Sequence, residues 1–197
     1  MRRPSGLRQS REGSRNMPHP KAGRPREGAR VKLIAAILVA GGFDVERLLA
    51  GLEERFGRID YRGEPHPFDG TDYYEDEMGP GLSRLIVSFE PLASPPDIVQ
   101  DKLDTARIEE DLSEGGGRRV NIDPGYMDYY KVVLASFKEG PQKIYLGDGV
   151  YADPILLYCD GDFAPLQWTF PDFKAGLYRE DFRAIRALYK KARREEK

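Results

Sequence analysis

Cysteine and histidine are nearly absent from this chain, and their scarcity excludes whole classes of functional site. Cys159 is the single cysteine among 197 residues, so a disulfide framework and a thiolate zinc site are both excluded within one chain. Histidine occurs only at His19 and His66. A serine or cysteine nucleophile with a histidine base would therefore depend on His66, and a histidine-rich zinc site is excluded. Because no disulfides are expected, we predict a cytoplasmic location.

Signatures of nucleotide binding and of membrane insertion are also missing. The sequence contains no G-x-x-x-x-G-K-[ST] motif, and no G-x-G-x-x-G follows a predicted strand, so we expect no P-loop nucleotide site. Asp101-Lys-Leu-Asp104 resembles a guanine-reading tetrapeptide, but it lies inside a predicted helix. No apolar segment approaches the length of a membrane span, and the N-terminal residues lack the apolar stretch of a secretory signal. We therefore expect no membrane contact.

Charge is distributed unevenly along the chain. Residues 1–30 carry nine Lys or Arg and two Glu, whereas the whole chain has a net charge of −2, so residues 31–197 carry −9. An acidic body lacks the basic field that nucleic-acid binding requires, and contact with nucleic acid is expected only through the tail, if at all. Residues 1–30 have too few large apolar side chains to fold and are predicted to be a disordered basic tail. An alternative is that the tail is an upstream extension and that the chain starts at Met17.

The hydrophobic pattern predicts a single α+β domain over residues 31–194. Val31–Ala40 is an almost continuous apolar run, which indicates a strand buried on both faces. Apolar residues then recur at helical spacing from Val45 to Phe56, with Asp44 placed to cap this helix and Gly57 to end it. Further strands are predicted at Arg58–Phe68, Leu82–Leu92 and Arg119–Ile122, with a capped helix starting after Ser94. The resulting order, βαββαβ, is the ferredoxin-like pattern.

The C-terminal part is predicted to extend this core. Additional strands are expected at Lys131–Phe137, Lys143–Leu146, Val150–Tyr158 and Phe163–Trp168. Apolar residues from Tyr178 to Ala192 recur at helical spacing and predict a closing amphipathic helix. We therefore expect a ferredoxin-like βαββαβ core extended by C-terminal β-strands and a closing helix, with six or more strands in total.

Five carboxylates and two tyrosines are crowded into the segment Phe68–Arg84, FDGTDYYEDEMGPGLSR. A loop this polar must be held by the rest of the fold, and such loops are where binding groups concentrate. Carboxylates without His or Cys suit a hard ion such as Mg²⁺ or Mn²⁺. The metal ligands predicted on this basis are Asp69, Asp72 and Glu75. The alternative is a solvated acidic loop whose side chains cap its own turns.

Arg118–Tyr126, RRVNIDPGY, is the second candidate segment. Pro124 and Gly125 suit a type II turn opened by Asp123. Strand alternation would then direct Asn121 and Asp123 outward at a strand end, where ligand-binding groups are common; a well-made turn without a function explains the same residues. The predicted catalytic residues are Asp72, Glu75 and Asp123. The predicted binding residues are Asp69, Tyr73, Tyr74, Arg84, Arg119, Asn121, Tyr126 and Asp148.

Four motifs resemble one protein family. FDGTDYYEDEMGPGLSR, RRVNIDPGYM, KIYLGDGVYA and WTFPDF occur in this order, and together they resemble an uncharacterised bacterial family of domains of unknown function, number 4416. The resemblance runs from about Val31 into the final helix and leaves the basic tail outside. Members of that family typically have a large aromatic residue where this chain has Gly70. The family has no established activity, so the resemblance implies no substrate.

Two functions remain open at this point. The first is a cytosolic enzyme directed at a small molecule or a phosphoester, with an acidic Mg²⁺ or Mn²⁺ site built from oxygen ligands. The second is a non-catalytic ligand-binding, protein-binding or regulatory module, for which paired tyrosines are well suited. Ferredoxin-like sheets host both classes, so the fold does not decide between them.

Overall fold

The computed structural model describes residues 27–69, 74–115 and 117–196, with only the backbone of Glu75 and Asp76. The predicted tail is outside this range up to residue 26. The strands are β1 Val31–Val39, β2 Ile59–Arg62, β3 His66–Pro67, β4 Ser83–Ala93, β5 Val120–Met127, β6 Lys131–Ser136, β7 Ile144–Gly147, β8 Val150–Cys159 and β9 Asp162–Pro165. The helices are α1 Val45–Phe56, α2 Glu75–Met78, α3 Ile98–Asp111, α4 Pro171–Lys174 and α5 Arg179–Glu195. The protein is therefore α+β, as predicted.

One antiparallel sheet contains all nine of these strands. Its order is β2-β4-β1-β5-β6-β8-β7, with β3 on β4 and β9 on β8. The first strand, β1, lies at the centre of the N-terminal half and pairs antiparallel with both β4 and β5. The segments that carry the two candidate motifs, the loop before β4 and strand β5, therefore flank the same central strand.

Strand β1 is buried on both faces, which confirms the prediction from its apolar run. Its residues Leu33, Ala35, Ile37 and Val39 pack in one core cluster with the apolar side of α1. The intervening residues Ile34 and Ala36 pack on the opposite face with residues of α5. Helices thus cover the sheet on both sides, and each fully buried aliphatic side chain stabilises the fold by about 1.5–3 kcal/mol.

The helix boundaries follow from capping chemistry. The Asp44 side chain accepts hydrogen bonds from the backbone N–H groups of Glu46 and Arg47 at the start of α1, and Gly57, with φ of 89°, ends that helix. Ahead of α3, the backbone N–H of Ser94 donates to Asp97 Oδ2 at 3.0 Å. All three caps lie where the sequence predicts them.

The predicted strand Arg58–Phe68 is two short strands instead. The break includes Gly63, where an added Cβ would lie 2.6 Å from Asp181 Oδ1 on α5, and Pro65, which has no N–H for a ladder hydrogen bond. Gly63 permits this close approach to α5, and its N–H still donates to the Ile86 carbonyl at 2.8 Å, so continuous pairing with β4 stops after it. Strand β9 likewise ends at Pro165, short of the predicted Trp168.

The predicted type II turn at Asp123–Tyr126 is wrong, because these residues lie inside β5. Pairing with β1 continues through Ala35↔Pro124 and Ile34↔Gly125. Gly125 is used here for closeness and not for a turn, since a Cβ on it would lie 2.1 Å from the backbone oxygen of Val133 on β6. Glycine in this strand therefore marks the place where the backbones of β5 and β6 approach each other closely.

Candidate functional site

Strands β5 and β6 separate immediately beyond this close approach, and the sheet forks. They pair only through Gly125–Met127 and Val132–Leu134, although β5 remains paired with β1 back to Val120. Backbone groups of alternate residues face the same edge of a strand, so Ile122, Pro124 and Tyr126 all face β6. Because Pro124 has no N–H to donate, the ladder to β6 stops there.

Two side chains of α3 take the place of the missing strand partner at Ile122. The backbone N–H of Ile122 donates to Glu109 Oε1 at 2.7 Å, and Lys102 Nζ donates to the Ile122 carbonyl at 2.6 Å. Both side chains are buried, and Lys102 Nζ lies 3.8 Å from Glu109 Oε1. Burial raises the pKa of Glu109, while Lys102 and the hydrogen bond from Ile122 act in the opposite direction. An otherwise unpaired edge is thereby satisfied by charged groups.

A small cleft of about 80 Å³ lies between the separated strands; we call it the fork cleft. Among the described residues, six charged side chains from three regions of the chain line it: α3, the segment from Arg118 into β5, and the segment from β6 to β8. They are Lys102, Arg118, Asp123, Lys138, Lys143 and Asp153. The charges of these described side chains sum to +2, and aromatic rings of Tyr74, Phe137 and Phe170 also line the cleft.

On the β6 side, Lys143 connects Ser136 and Asp153. Lys143 Nζ donates to Ser136 Oγ at 3.0 Å and to the Lys138 carbonyl at 3.1 Å, and it lies 3.6 Å from Asp153 Oδ2. Burial raises the pKa of Asp153, nearby Asp123 raises it further, and Lys143 lowers it. A buried carboxyl beside an ammonium in a cleft is a typical arrangement for binding and proton transfer.

On the β5 side, Asp123 and Asn121 are held in place by hydrogen bonds. Asp123 Oδ1 accepts from Lys102 Nζ at 3.2 Å, and Asp123 Oδ2 accepts from Asn121 Nδ2 at 3.1 Å. Both residues line the fork cleft, as does Tyr74 from the acidic loop. The structure therefore brings parts of the two candidate segments to one place.

Arg118 links the acidic loop to this part of β5. Its guanidinium makes a bidentate pair with Glu77 on α2, through Nε at 2.7 Å and Nη2 at 2.6 Å. Its Nη1 donates to Glu109 Oε2 at 3.0 Å and to Asn121 Oδ1 at 3.1 Å. The hydrogen bonds from Arg118 lower the pKa of Glu77, and the two glutamates raise the pKa of Arg118. Arg118 thus fixes α2 next to the cleft.

Arg84, a predicted binding residue, is buried behind the cleft wall. It forms an ion pair with Asp172 on α4, and its guanidinium carbon lies 4.5 Å from the ring centre of Phe68 and 4.9 Å from that of Phe173. Tyr178 donates to Asp172 Oδ2 at 3.1 Å. The segments FDGTDYYEDEMGPGLSR and WTFPDF are therefore joined through this cluster, which reaches the cleft through Phe170 and through Tyr74, whose ring packs on Phe68.

The remaining predicted site residues lie elsewhere in the described part of the chain. Arg119 Nη2 donates to the Gly41 carbonyl at 3.0 Å. Tyr126 lines a separate apolar groove beside Pro95, and Asp148 is exposed in the β7–β8 turn with φ of 50°. Asp69 is exposed.

The predicted metal ligands are described only in part. Asp72, Tyr73 and the side chain of Glu75 lie outside the described residues. Within residues 27–69, 74–115 and 117–196, no group of three or more His, Cys, Asp or Glu side chains has an arrangement that could hold a metal ion. The ligand set of Asp69, Asp72 and Glu75 therefore stays a prediction.

Sequence reasoning missed Lys102, Ser136, Lys143 and Asp153. A signal existed for Asp153, which interrupts the apolar strand VYADPILLY, because a charged residue in a buried strand needs a partner. Lys102 likewise lies on the buried side of α3. Ser136 and Lys143 carried no comparable signal, since their meeting depends on how the chain returns between β6 and β7.

A family model described as "Domain of unknown function (DUF4416)" matches residues 29–189. The chain belongs to this family, as the four motifs indicated. Neither the curated proteins nor the solved structures contain a significant match to this chain. No helix in the described part of the chain is long and apolar enough to cross a membrane.

Proposed function

We propose that this chain is an enzyme that acts on a small phosphoester-type anion, which binds in the fork cleft together with Mg²⁺ or Mn²⁺. The observation that carries the proposal is the convergence of four cationic and two acidic side chains on about 80 Å³. Ammonium and guanidinium groups are the protein groups best suited to bind phosphate. The small volume favours a compact charged group over a large apolar ligand.

The charge of the lining supports an anion as the first ligand. Lysine side chains repel a bare divalent cation, and Mg²⁺ in enzymes is commonly held by one or two carboxylates plus substrate phosphates. Asp123 supplies such a carboxylate. We therefore propose that the metal enters with the anion, and that Asp72 and Glu75 of the acidic loop supply further oxygen ligands.

The proposed roles follow from the contacts. Lys102 and Lys143 bind the anionic group, and Asp153 transfers a proton, because its raised pKa brings it nearer to neutral pH. Asp123 serves as a metal ligand or base, with Asp72 and Glu75 as further candidates for catalysis. Tyr74 and Asn121 contact the remainder of the substrate.

We also propose a ferredoxin-like assignment for the N-terminal half and a cytoplasmic location. The assignment is supported by the strand order β2-β4-β1-β5, in which β1 is antiparallel to both neighbours. A cytoplasmic location is consistent with the single, exposed cysteine.

A second candidate function is a non-catalytic binding module. It is favoured by strand β7, which lies at one end of the sheet and exposes Ile144, Tyr145 and Leu146 in succession. An apolar sheet edge of this kind is suited to protein partners.

Thermal unfolding with added ligands tests the enzyme proposal. Inorganic phosphate and phenyl phosphate, each with and without MgCl₂ or MnCl₂, should raise the melting temperature, since a ligand at 100 times its Kd stabilises the native state by about 2.7 kcal/mol. Lys143→Gln should reduce the shift, whereas Lys191→Gln, an exposed lysine of α5, should leave it unchanged. Release of phosphate from phenyl phosphate is measured in parallel.

The outcomes separate the two candidates. Binding with turnover that depends on Asp153 supports the enzyme. Binding without turnover of any phosphomonoester supports the non-catalytic module. If none of the anions shifts the melting temperature with or without metal, the proposal for the fork cleft is wrong.

A further inference from the structure

We propose that Ser136, Lys143 and Asp153 form an oxyanion subsite that selects an anion carrying a proton over an anion without one. Hydrogen phosphate and a singly protonated phosphomonoester belong to the first class, and sulfate belongs to the second. The inference rests on the proposed function, because it concerns the same cleft. It goes further by naming the group that distinguishes the ligands.

The hydroxyl of Ser136 is a donor toward the cleft. Its Oγ accepts one hydrogen bond from Lys143 Nζ and a second from the backbone N–H of Lys138, both at 3.0 Å. A hydroxyl has two acceptor lone pairs and a single hydrogen, so both lone pairs are used. No described residue accepts the remaining hydrogen. Since Ser136 lines the cleft, this hydrogen is available to an oxygen of a bound anion.

The ammonium of Lys143 is fixed between Ser136 and Asp153. Two of its three hydrogens are directed to Ser136 Oγ and to the Lys138 carbonyl, and its side chain is only 10% exposed. Its charge is therefore held at the cleft by two neutral acceptors and by the more distant carboxylate of Asp153. Such a charge strengthens the donor hydroxyl beside it and attracts an anion.

Asp153 supplies the selectivity. It is 94% buried, yet its described polar contacts are long: 3.6 Å from Oδ2 to Lys143 Nζ and 3.5 Å from Oδ1 to Gln142 Nε2. An ionised carboxylate only accepts hydrogen bonds and has about four acceptor positions. Asp153 therefore keeps acceptor capacity on the cleft side. A P–O–H group satisfies it, whereas the oxygens of sulfate can only repel it.

Calorimetric titration of the full chain with sodium phosphate and sodium sulfate, at equal ionic strength and neutral pH, tests the proposal. The Kd of the wild-type protein for phosphate should be lower than its Kd for sulfate by a factor of about ten or more. This is the effect expected of one hydrogen bond to a charged group. In Asp153→Asn the amide can donate, so the two anions should bind alike. Ser136→Ala should weaken phosphate by about tenfold, and Ser136→Thr should restore it. Ser113→Ala is the matched control, because Ser113 is exposed just after the end of α3 and does not line the cleft.

Each result has a definite meaning. Equal binding of phosphate and sulfate to the wild-type protein overturns the subsite and leaves the proposed function intact. Absence of binding by either anion overturns both. If Asp153→Asn does not fold, as circular dichroism will show, the wild-type titrations decide, since equal affinities for phosphate and sulfate contradict the role of Asp153.

Discussion

At the level of single residues, Arg84 and Asp172 form a buried ion pair in which each charge depends on the other. Both are buried, and they connect β4 to α4 through an ion pair surrounded by aromatic rings. Asp172 Oδ1 is buried without a hydrogen-bond partner among the described residues. A buried charge that loses its partner keeps its full desolvation cost. This pair therefore stabilises the fold only as long as both members are present.

Removing one member of the pair should be strongly destabilising. We expect Arg84→Met to lower the free energy of unfolding by about 3–5 kcal/mol, because the Asp172 carboxylate is left buried and unpaired. Urea denaturation measures the change. Arg58→Met, which breaks the exposed pair with Glu90, is the control and should cost less than about 1 kcal/mol. Equal effects of the two substitutions would contradict the importance of burial.

Asp101 should make the stability depend on pH. Burial, followed by Asp97, raises its pKa to about 6. The folded state therefore holds this proton at a higher pH than the unfolded state, and the stability falls as the pH rises from about 4 to about 6. Asp101→Asn should abolish this fall and should stabilise the protein by about 2 kcal/mol at neutral pH. Urea denaturation across this pH range measures it, with the exposed Glu110→Gln as the control; parallel curves for wild type and Asp101→Asn would contradict the assignment.

At the level of secondary-structure elements, the fork between β5 and β6 is the feature that creates the cleft. Gly125 permits the close approach of β5 and β6, and Pro124 ends the hydrogen-bonded pairing of these two strands. Helix α3 then satisfies the exposed edge through Lys102 and Glu109. Strands β5 and β6 and helix α3 together form the cleft, and the close approach at Gly125 sets the distance between the two strands.

Gly125→Ala should therefore destabilise the protein, by about 3 kcal/mol, because the added methyl group would overlap the Val133 carbonyl. The matched control is Gly51→Ala in α1, where a Cβ meets no atom within 4 Å and alanine favours the helix by about 1 kcal/mol. Thermal or urea unfolding of both variants measures the difference. The two substitutions should change the free energy of unfolding in opposite directions. If Gly125→Ala left it unchanged, the backbones of β5 and β6 would lie farther apart than described.

The sequence was sufficient to predict elements but not their departures from regularity. The apolar run of β1 and the caps of α1 and α3 are local signals, and each was found where predicted. The prediction of a turn at Pro124-Gly125 was wrong because the same two residues suit both a turn and a close approach of two strands. Which of the two applies depends on the neighbouring strand β6, where Val133 lies, and local sequence patterns do not identify that neighbour. The same is true of Lys143 and Asp153, which meet only through strand pairing.

At the level of the whole molecule, charge separates the tail from the body. The described domain is acidic, and residues 1–26 carry the excess of arginine and lysine. Arg30, by contrast, is attached to the domain: Tyr189 donates to its carbonyl at 2.9 Å. We therefore place the boundary between the N-terminal extension and the domain between residue 26 and Arg30.

Deletion of residues 1–26 should change binding to polyanions without changing stability. The net charge of the chain would fall from −2 to −9, so retention on heparin and binding to labelled DNA at low salt should be lost. The urea midpoint should remain the same, because Arg30 and its contacts are retained. A lower midpoint would show that the tail packs on the domain, and DNA binding by the shortened chain would locate a basic surface elsewhere.

The central place of β1 has a consequence for how the protein is made. This strand leaves the ribosome well before its neighbours β4 and β5, which are encoded much later in the chain. Its nine residues, apolar except for Lys32, must therefore wait with one edge unpaired until Val120–Met127 has been synthesised. Long-range antiparallel pairing of this kind folds slowly, and an unpaired apolar strand is prone to aggregate. Nascent chains that end before β5 should accordingly depend on chaperones, and those that include it should not.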